Sequence, residues 1–348
     1  NLVFSNNKDA ANSWIFTTKS AEKIRKTIKV DSSESSRSDF RTIYGALAAI
    51  GNKEGDYTIK LAEGTYRELI HFKGVANITI EGPAKNNRGD NCVIQYTNIN
   101  AWNGSTSLRP VFFFQAGNLV LKNLTIKNTC IRGVSTKTAD TQAETIYFKN
   151  DTGTFAAYNC SFKSHQDTIL TSGRNWFYNC YIEGDTDFIW GTASACLVEN
   201  SDLVCLNDPN KDVDESILFV ARTGITGQPT IGKGYVLLNS KVSVEDNMMI
   251  YLGRDAGTGS FYDQVAVLNT TFSLGKDALI APRLWGGNTS NPSYLCIKED
   301  TLNVGWKDYG LTYPDGSAVD TKGRLTNTNE IPEELFNTEF NGRHTILN

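Results

Sequence analysis

Two aspartates, Asp167 and Asp187, stand twenty residues apart, in H-Q-D-T-I-L (His165 to Leu170) and D-F-I-W-G (Asp187 to Gly191). Two glutamines accompany them, Gln142 in Q-A-E-T-I-Y-F (Gln142 to Phe148) and Gln166 in the first run. Arg254 follows in Y-L-G-R (Tyr251 to Arg254). Two carboxylates held close together cannot both ionise easily, so one keeps its proton at neutral pH. The pair then supplies one nucleophile or base and one acid, the equipment for ester or glycoside hydrolysis. Glutamine amides are neutral donors suited to a developing oxyanion, and an arginine can hold one carboxylate ionised and oriented. Each residue alone reads as a turn, edge or ion-pair residue. Only the set carries chemistry.

The set works only if the chain folds back about every twenty residues. From Tyr57 onward the sequence breaks into short apolar-alternating segments, many opening on an asparagine. The asparagines are Asn77, Asn123, Asn159, Asn179, Asn200, Asn239 and Asn269, with central intervals of 20 (179 − 159) and 21 (200 − 179). A strand repeat of this length without intervening helices indicates a solenoid of stacked strands. Successive turns would pair at about 4.8 Å, and the asparagine amides would bond to the turns above and below as amide ladders do. Asp167 and Asp187 would then occupy matching places on neighbouring rungs. A sandwich or barrel is the competing all-β reading, but neither needs the same asparagine at each return.

The ends read differently. Residues 1–38 are polar and broken and are expected to be an N-terminal extension; the stretch from 39 to 348 is read as a single β-helix domain. Phe40, Ile43, Leu47 and Ile50 fall at helical spacing, with Asp39 placed to cap the start and Gly51 to end it. After Asn269 the repeat fades, and the tail is expected to pack along the outer face.

A net charge of −4 argues against broad nucleic-acid binding, which needs a basic face. No apolar run approaches the eighteen or so residues of a membrane span. Seven cysteines contain no C-x-x-C pair, so a zinc ribbon is not expected. Cys160 and Cys180 each follow a ladder asparagine and should sit one rung apart, which leaves a disulfide and two stacked thiols as alternatives. Of the glycosylation sequons, those at Asn77, Asn123, Asn159 and Asn269 occupy the ladder, where a glycan would block stacking. Asn103, Asn150 and Asn288 are the expected acceptors. His165 invites comparison with Ser-His-Asp hydrolases, but no G-x-S-x-G occurs. It is read as structural or as part of the rim.

Taken together and in order, Q-A-x-x-I, Q-D-T, D-F-I-W-G and L-G-R resemble the pectin methylesterase family of right-handed parallel β-helix carbohydrate esterases. G-T-Y-R-E (Gly64 to Glu68) matches the family's early G-x-Y-x-E signature, and the helix at 39–50 matches its N-terminal cap. The resemblance covers roughly Asp39 to Asn269. It implies Asp187 as the nucleophile on the methyl-ester carbonyl of a galacturonate unit. Asp167 would protonate the departing methanol and then activate water, Gln142 and Gln166 would hold the oxyanion, and Arg254 would bond to Asp187. Trp190 stands where the family usually has Phe. With Thr186 and Trp285 it is the expected substrate contact. Neither metal nor organic cofactor is implied, and the expected protein is a secreted, extracellular monomer acting on pectin. The start at Asn1 fits a leader already removed, although nothing there reads as a signal peptide.

Three departures accompany the match. L-G-R-D-A replaces L-G-R-P-W, so Ala256 stands in place of a substrate-facing Trp. The interval from Asp167 to Asp187 is one residue tight, with the shortening expected in a loop at Thr171 to Asn175. The segment from Gly104 to Pro110 aligns poorly. The rival readings are a polysaccharide lyase, which needs calcium-binding acidic clusters, and a polygalacturonase, which needs clustered aspartates with a His. Neither pattern lies near the five-residue set, and a non-catalytic carbohydrate-binding solenoid would have no need of that set.

Overall fold

The structure is a computed structural model of the 348-residue chain. It describes residues 2–4, 14–16, 24–33, 37–85, 88–135, 140–208, 210, 215–222, 224–225, 234–254, 261–262, 264–282, 284–286 and 305–321. Ala256 and Asn288 lie outside these residues.

Short strands with alternating burial stack into two parallel sheets, of seventeen and eight strands among the described residues. Ile169–Tyr178 pairs in parallel with Thr154–Tyr158 on one side and Ile189–Glu199 on the other. Ser161–Lys163 and Tyr181–Gly184 stack likewise in the smaller sheet. The result is a right-handed parallel β-helix. Inward side chains form one continuous core that includes Phe112, Phe114, Ile146, Phe148, Ile169, Ile189 and Phe219.

The two repeat lengths have a structural cause. Ile169 pairs with Ile189, an offset of twenty, and Arg174 pairs with Ala195, an offset of twenty-one. Ser194 is the extra residue of a bulge, which shifts register without interrupting the strand. The loop expected at Thr171 to Asn175 therefore does not form, because those residues lie inside the ten-residue strand Ile169–Tyr178.

Asn123, Asn159, Asn179, Asn200, Asn239 and Asn269 all have positive φ, between 49° and 55°. Asparagine tolerates this left-handed turn better than most residues, which accounts for its recurrence. The amide ladder itself is shorter than expected. Asn159 Nδ2 donates to Asn123 Oδ1 at 2.7 Å and Asn179 Nδ2 to Asn159 Oδ1 at 3.2 Å. Farther along, hydroxyls stitch the turn, as when Ser201 Oγ accepts from Cys180 N and Ser240 Oγ from Ser201 N. Asn77 is not in the ladder. It opens the strand Asn77–Glu81 and donates to Asp56 Oδ1. Register places Gly82 opposite Asn123, where an added Cβ would meet the Asn123 carbonyl at 2.2 Å.

The helix runs from Ile43 to Ile50 and begins later than expected. Thr42 caps it through Oγ1 to Gly45 N, whereas Asp39 Oδ2 accepts from Lys29 N. Glu68, the last residue of G-T-Y-R-E, accepts from Ile43 N and Tyr44 N at 2.9 and 2.8 Å. A carboxylate there satisfies two orphan N–H groups at the positive end of the helix.

The solenoid also begins before residue 39, since Thr27–Val30 pairs with Thr58–Leu61. At the other end, Gly305–Tyr309 adds a strand beside Gln264–Leu268 rather than lying on the outer face. Its Trp306 reaches the core. Residues 322–348 of the tail lie outside the described set.

Cys160 and Cys180 are buried free thiols, so the disulfide alternative is not realised. Burial pushes the Cys180 thiol up to about 12. Asn150 also departs from expectation as a glycan acceptor. Its Nδ2 donates to the Ala116 and Gly117 carbonyls and its Oδ1 accepts from Thr152 N and Gly153 N, so a glycan would break a satisfied turn. Asn103 Nδ2 donates to Asn98 Oδ1 and retains a second hydrogen.

Candidate active site

Asp167 and Asp187 each sit in the turn just before a long strand of the large sheet, with φ of 62° and 54°. Aspartate accepts this backbone at modest cost. Asp167 N donates to the Thr186 carbonyl at 2.8 Å, and Ile169 N to the Phe188 carbonyl at 2.8 Å, which locks the two turns in register. The aspartates therefore occupy equivalent positions one rung apart, about 4.8 Å along the stack. Both are nearly buried, at 6% and 8% exposure.

Arg254 ends the strand Met249–Arg254 and grips Asp187 at two points. Nε donates to Oδ1 at 2.9 Å and Nη2 to Oδ2 at 2.5 Å. This fork fixes the carboxylate plane and balances its charge. Gly191, closing D-F-I-W-G, has φ 127°, and a Cβ there would meet the Thr171 carbonyl at 2.1 Å. The glycine lets the two rungs close beneath the aspartates.

Gln166 is oriented by its carbonyl, which accepts from Thr141 Oγ1 at 2.7 Å and Arg132 Nη2 at 3.4 Å. With its oxygen so engaged, its NH2 is left to donate. Gln142 belongs to the same wall, since Ala143 N donates to the Gln166 carbonyl one rung on. Its Oε1 is buried and has no hydrogen-bond partner among the described residues.

Two residues of the site are not among those the sequence motifs single out. Glu144, fully buried, lies one rung before Asp167. Arg109, from the poorly matching segment, donates through Nε and Nη2 to both Glu144 oxygens at 2.7–2.9 Å. The same Nη2 reaches Asp167 Oδ2 at 3.2 Å, and Nη1 donates to Asn100 Oδ1. Glu144, Asp167 and Asp187 form a column of three carboxylates served by two guanidiniums. Burial, then the Glu144 and Asp187 charges, push Asp167 well above the usual carboxylate range, with Arg109 and Arg254 opposing. Burial raises Glu144 too, against the pull of its Arg109 bonds. Of the two raised carboxyls, Asp167 is the one pushed up by both neighbouring carboxylates.

His165 lies beside the site with its Nδ1 3.6 Å from both Asp185 Oδ2 and Asp208 Oδ2. These three side chains have the spacing of metal ligands. Arg132, however, bridges the two carboxylates, with Nη1 donating to each and Nη2 to Asp185. The cationic position is filled by a guanidinium, and the cluster is an ion-pair network supporting the Gln166 amide.

The aromatic candidates separate. Trp190 faces outward with Leu170 and Val220 on the neighbouring strands, and the Arg222 guanidinium lies 5.1 Å over its ring. Along the same outward row lie Tyr147 and Phe113, edge to face, and His71 stacked on Phe113. Trp285 is 7% exposed and stacks on Trp306 inside the core. It packs into the main core, whereas Trp190, at 9% exposure, lies in the separate cluster on the other side of the sheet. Thr186 contributes its carbonyl to the Asp167 turn.

A family model for pectinesterase matches residues 29–285. The pectinesterase 11 sequence of Arabidopsis thaliana is 30% identical over 297 residues, covering 81% of this chain and 70% of its own length. A pectinesterase of Aspergillus aculeatus is 27% identical over 311 residues, covering 83% and 85%. Among solved structures, pectin methylesterase from carrot superposes with a TM-score of 0.69 over 92% of this chain and 96% of its own, at 20% identity, which bears on the fold. The rungs, the paired aspartates and these matches agree, and the chain belongs to the pectinesterase family.

Proposed function

We infer that this chain hydrolyses galacturonate methyl esters in pectin, releasing methanol and de-esterified polymer, with Asp187 as nucleophile. The observation that carries the role assignment is the asymmetry of the two aspartates. One is clamped by Arg254 at two points, and the other is buried beside it with its carboxyl pushed upward by burial and by the neighbouring carboxylates.

Asp187 attacks the ester carbonyl, and the NH2 groups of Gln142 and Gln166 take up the charge on the tetrahedral oxygen. Asp167 gives its proton to the methoxyl oxygen as the C–O bond breaks, and methanol departs. Asp167, now a carboxylate, accepts a proton from water attacking the acyl-enzyme. The acyl–Asp187 bond breaks and both aspartates return to their starting states. The outward row through Tyr147, Leu170 and Trp190 supplies an apolar floor for sugar rings.

The polymer is a wall component outside the cell, and we read the protein as secreted and active as a monomer, with Asn103 as its glycan acceptor. Products decide the reaction. Methanol should appear with the polymer length unchanged. Unsaturated ends absorbing in the ultraviolet would mean a lyase, and new reducing ends a galacturonase.

A further inference from the structure

Arg109 and Glu144 belong to no step of this reaction, yet they stand against one of its residues. Glu144 has no exposed surface and Arg109 is 8% exposed. Burying such a pair is costly, and apolar side chains of similar size are often as stable or more so. A buried pair in contact with a proton donor therefore invites a role beyond packing.

The geometry of the fork defines that role. A free guanidinium would meet a neighbouring carboxylate with two N–H groups, as Arg254 meets Asp187. Arg109 spends three hydrogen bonds on Glu144 and a fourth on Asn100, leaving Asp167 one longer bond on a single oxygen. Among the described residues this is the side-chain bond the Asp167 carboxyl receives.

We propose that Glu144 is a positioning residue for the proton donor: it turns Arg109 away from a two-point grip on Asp167, so that Asp167 is oriented by one N–H at Oδ2 and keeps its proton at the pH of turnover. The charged and titratable groups facing Asp167 are consistent with this. The preceding rung brings Glu144, the following rung Asp187, the segment before Val111 brings Arg109, and the strand Met249–Arg254 brings Arg254; Tyr147 faces Glu144 rather than Asp167. The cluster of His165, Arg132, Asp185 and Asp208 lies to one side. Cations equal anions when Asp167 is neutral and Glu144 and Asp187 are charged. Removing the Glu144 charge leaves an unbalanced guanidinium beside Asp167, which favours its ionised form.

The test is the pH profile of kcat/KM for methanol release, and it rests on the esterase reading. Wild-type release is its control: an inactive wild type sinks that reading and the proposal with it, whereas an active wild type leaves the variants to decide the proposal alone. Glu144→Gln keeps the shape and removes the charge. The alkaline limb should move down by about one pH unit, whereas Glu144→Asp should keep its limb near wild type even if the rate falls. A Glu144→Gln protein with an unmoved limb and a uniformly lower rate would reduce the pair to a structural tie and overturn the proposal. Should Glu144→Gln not fold, Arg109→Met/Glu144→Leu replaces the pair with apolar groups. Its kcat should fall at least tenfold with little change in KM, because Asp167 loses its orienting bond. Wild-type kcat in that variant would contradict the proposal as well.

Discussion

Asp167 and Asp187 occupy the same position in successive rungs, with nearly the same left-handed backbone, and their arginines treat them differently. Arg254 gives Asp187 two N–H groups, while Arg109 gives Asp167 one and commits the rest to Glu144 and Asn100. Similar backbone placement with unequal charge compensation is the basis of the proposed division into nucleophile and acid.

The acid role predicts that Asp167→Asn, which can donate an N–H but cannot deliver a proton, loses about 10²-fold or more in kcat. Single-turnover methanol release checks this.

The raised Asp167 also predicts a stability trend. Its folded value lies above its unfolded value, so the folded state binds the extra proton. The favourable contribution is complete below the unfolded value of about 3.9 and is lost as pH rises towards the folded one. Asp167→Asn should thus gain in melting temperature relative to wild type between pH 4 and pH 8. A constant difference across that range would contradict it.

Gln166→Ala should cost about 2.7–4 kcal/mol of transition-state stabilisation as a lost oxyanion donor. Thr141→Val, which removes the shorter of the two bonds to the Gln166 carbonyl and leaves that from Arg132, should give a smaller loss of kcat with KM little changed. Equal loss in kcat and affinity for the polymer would place Gln166 in ground-state binding instead.

The two tryptophans should part company. Trp285→Ala removes a ring stacked on Trp306 in the core and should destabilise by about 3–5 kcal/mol, leaving KM unchanged in the folded fraction. Trp190→Ala opens the outward row and should raise KM for polymeric pectin more than it lowers kcat.

Much of this architecture was readable because it repeats. The rung length, the left-handed asparagine turn and the alignment of the aspartates all follow from local patterns at a fixed period. Asn77 misled because its text matches the repeat while its register does not: it opens a strand, and Gly82 stands at the register position opposite Asn123. Trp285 reads as a substrate contact in a Gly/Pro-rich stretch, yet Trp285–Gly286 pairs with Gly253 and Arg254 and its ring joins the core. Arg109 and Glu144 were invisible for a different reason. Their meaning comes from a contact across thirty-five residues, and neither neighbourhood repeats. The one available signal was two charged residues inside apolar runs, S-L-R-P-V-F-F and Q-A-E-T-I-Y-F.

The buried thiols give an independent check on the rungs. Cys160 and Cys180 lie side by side without a bridge, and burial raises both. The intact protein should show no Cys160–Cys180 linked peptide under non-reducing conditions, and neither thiol should react with an alkylating reagent until the protein unfolds.

Attack on the ester is assigned to Asp187. Its most direct test is the initial rate of methanol release from highly methylated pectin by wild type and by Asp187→Asn, with matched melting temperatures establishing that both are folded. Wild type should release methanol steadily, undiminished in excess chelator, and the variant should release it at the background rate. A folded Asp187→Asn protein turning over at the wild-type rate would contradict that assignment.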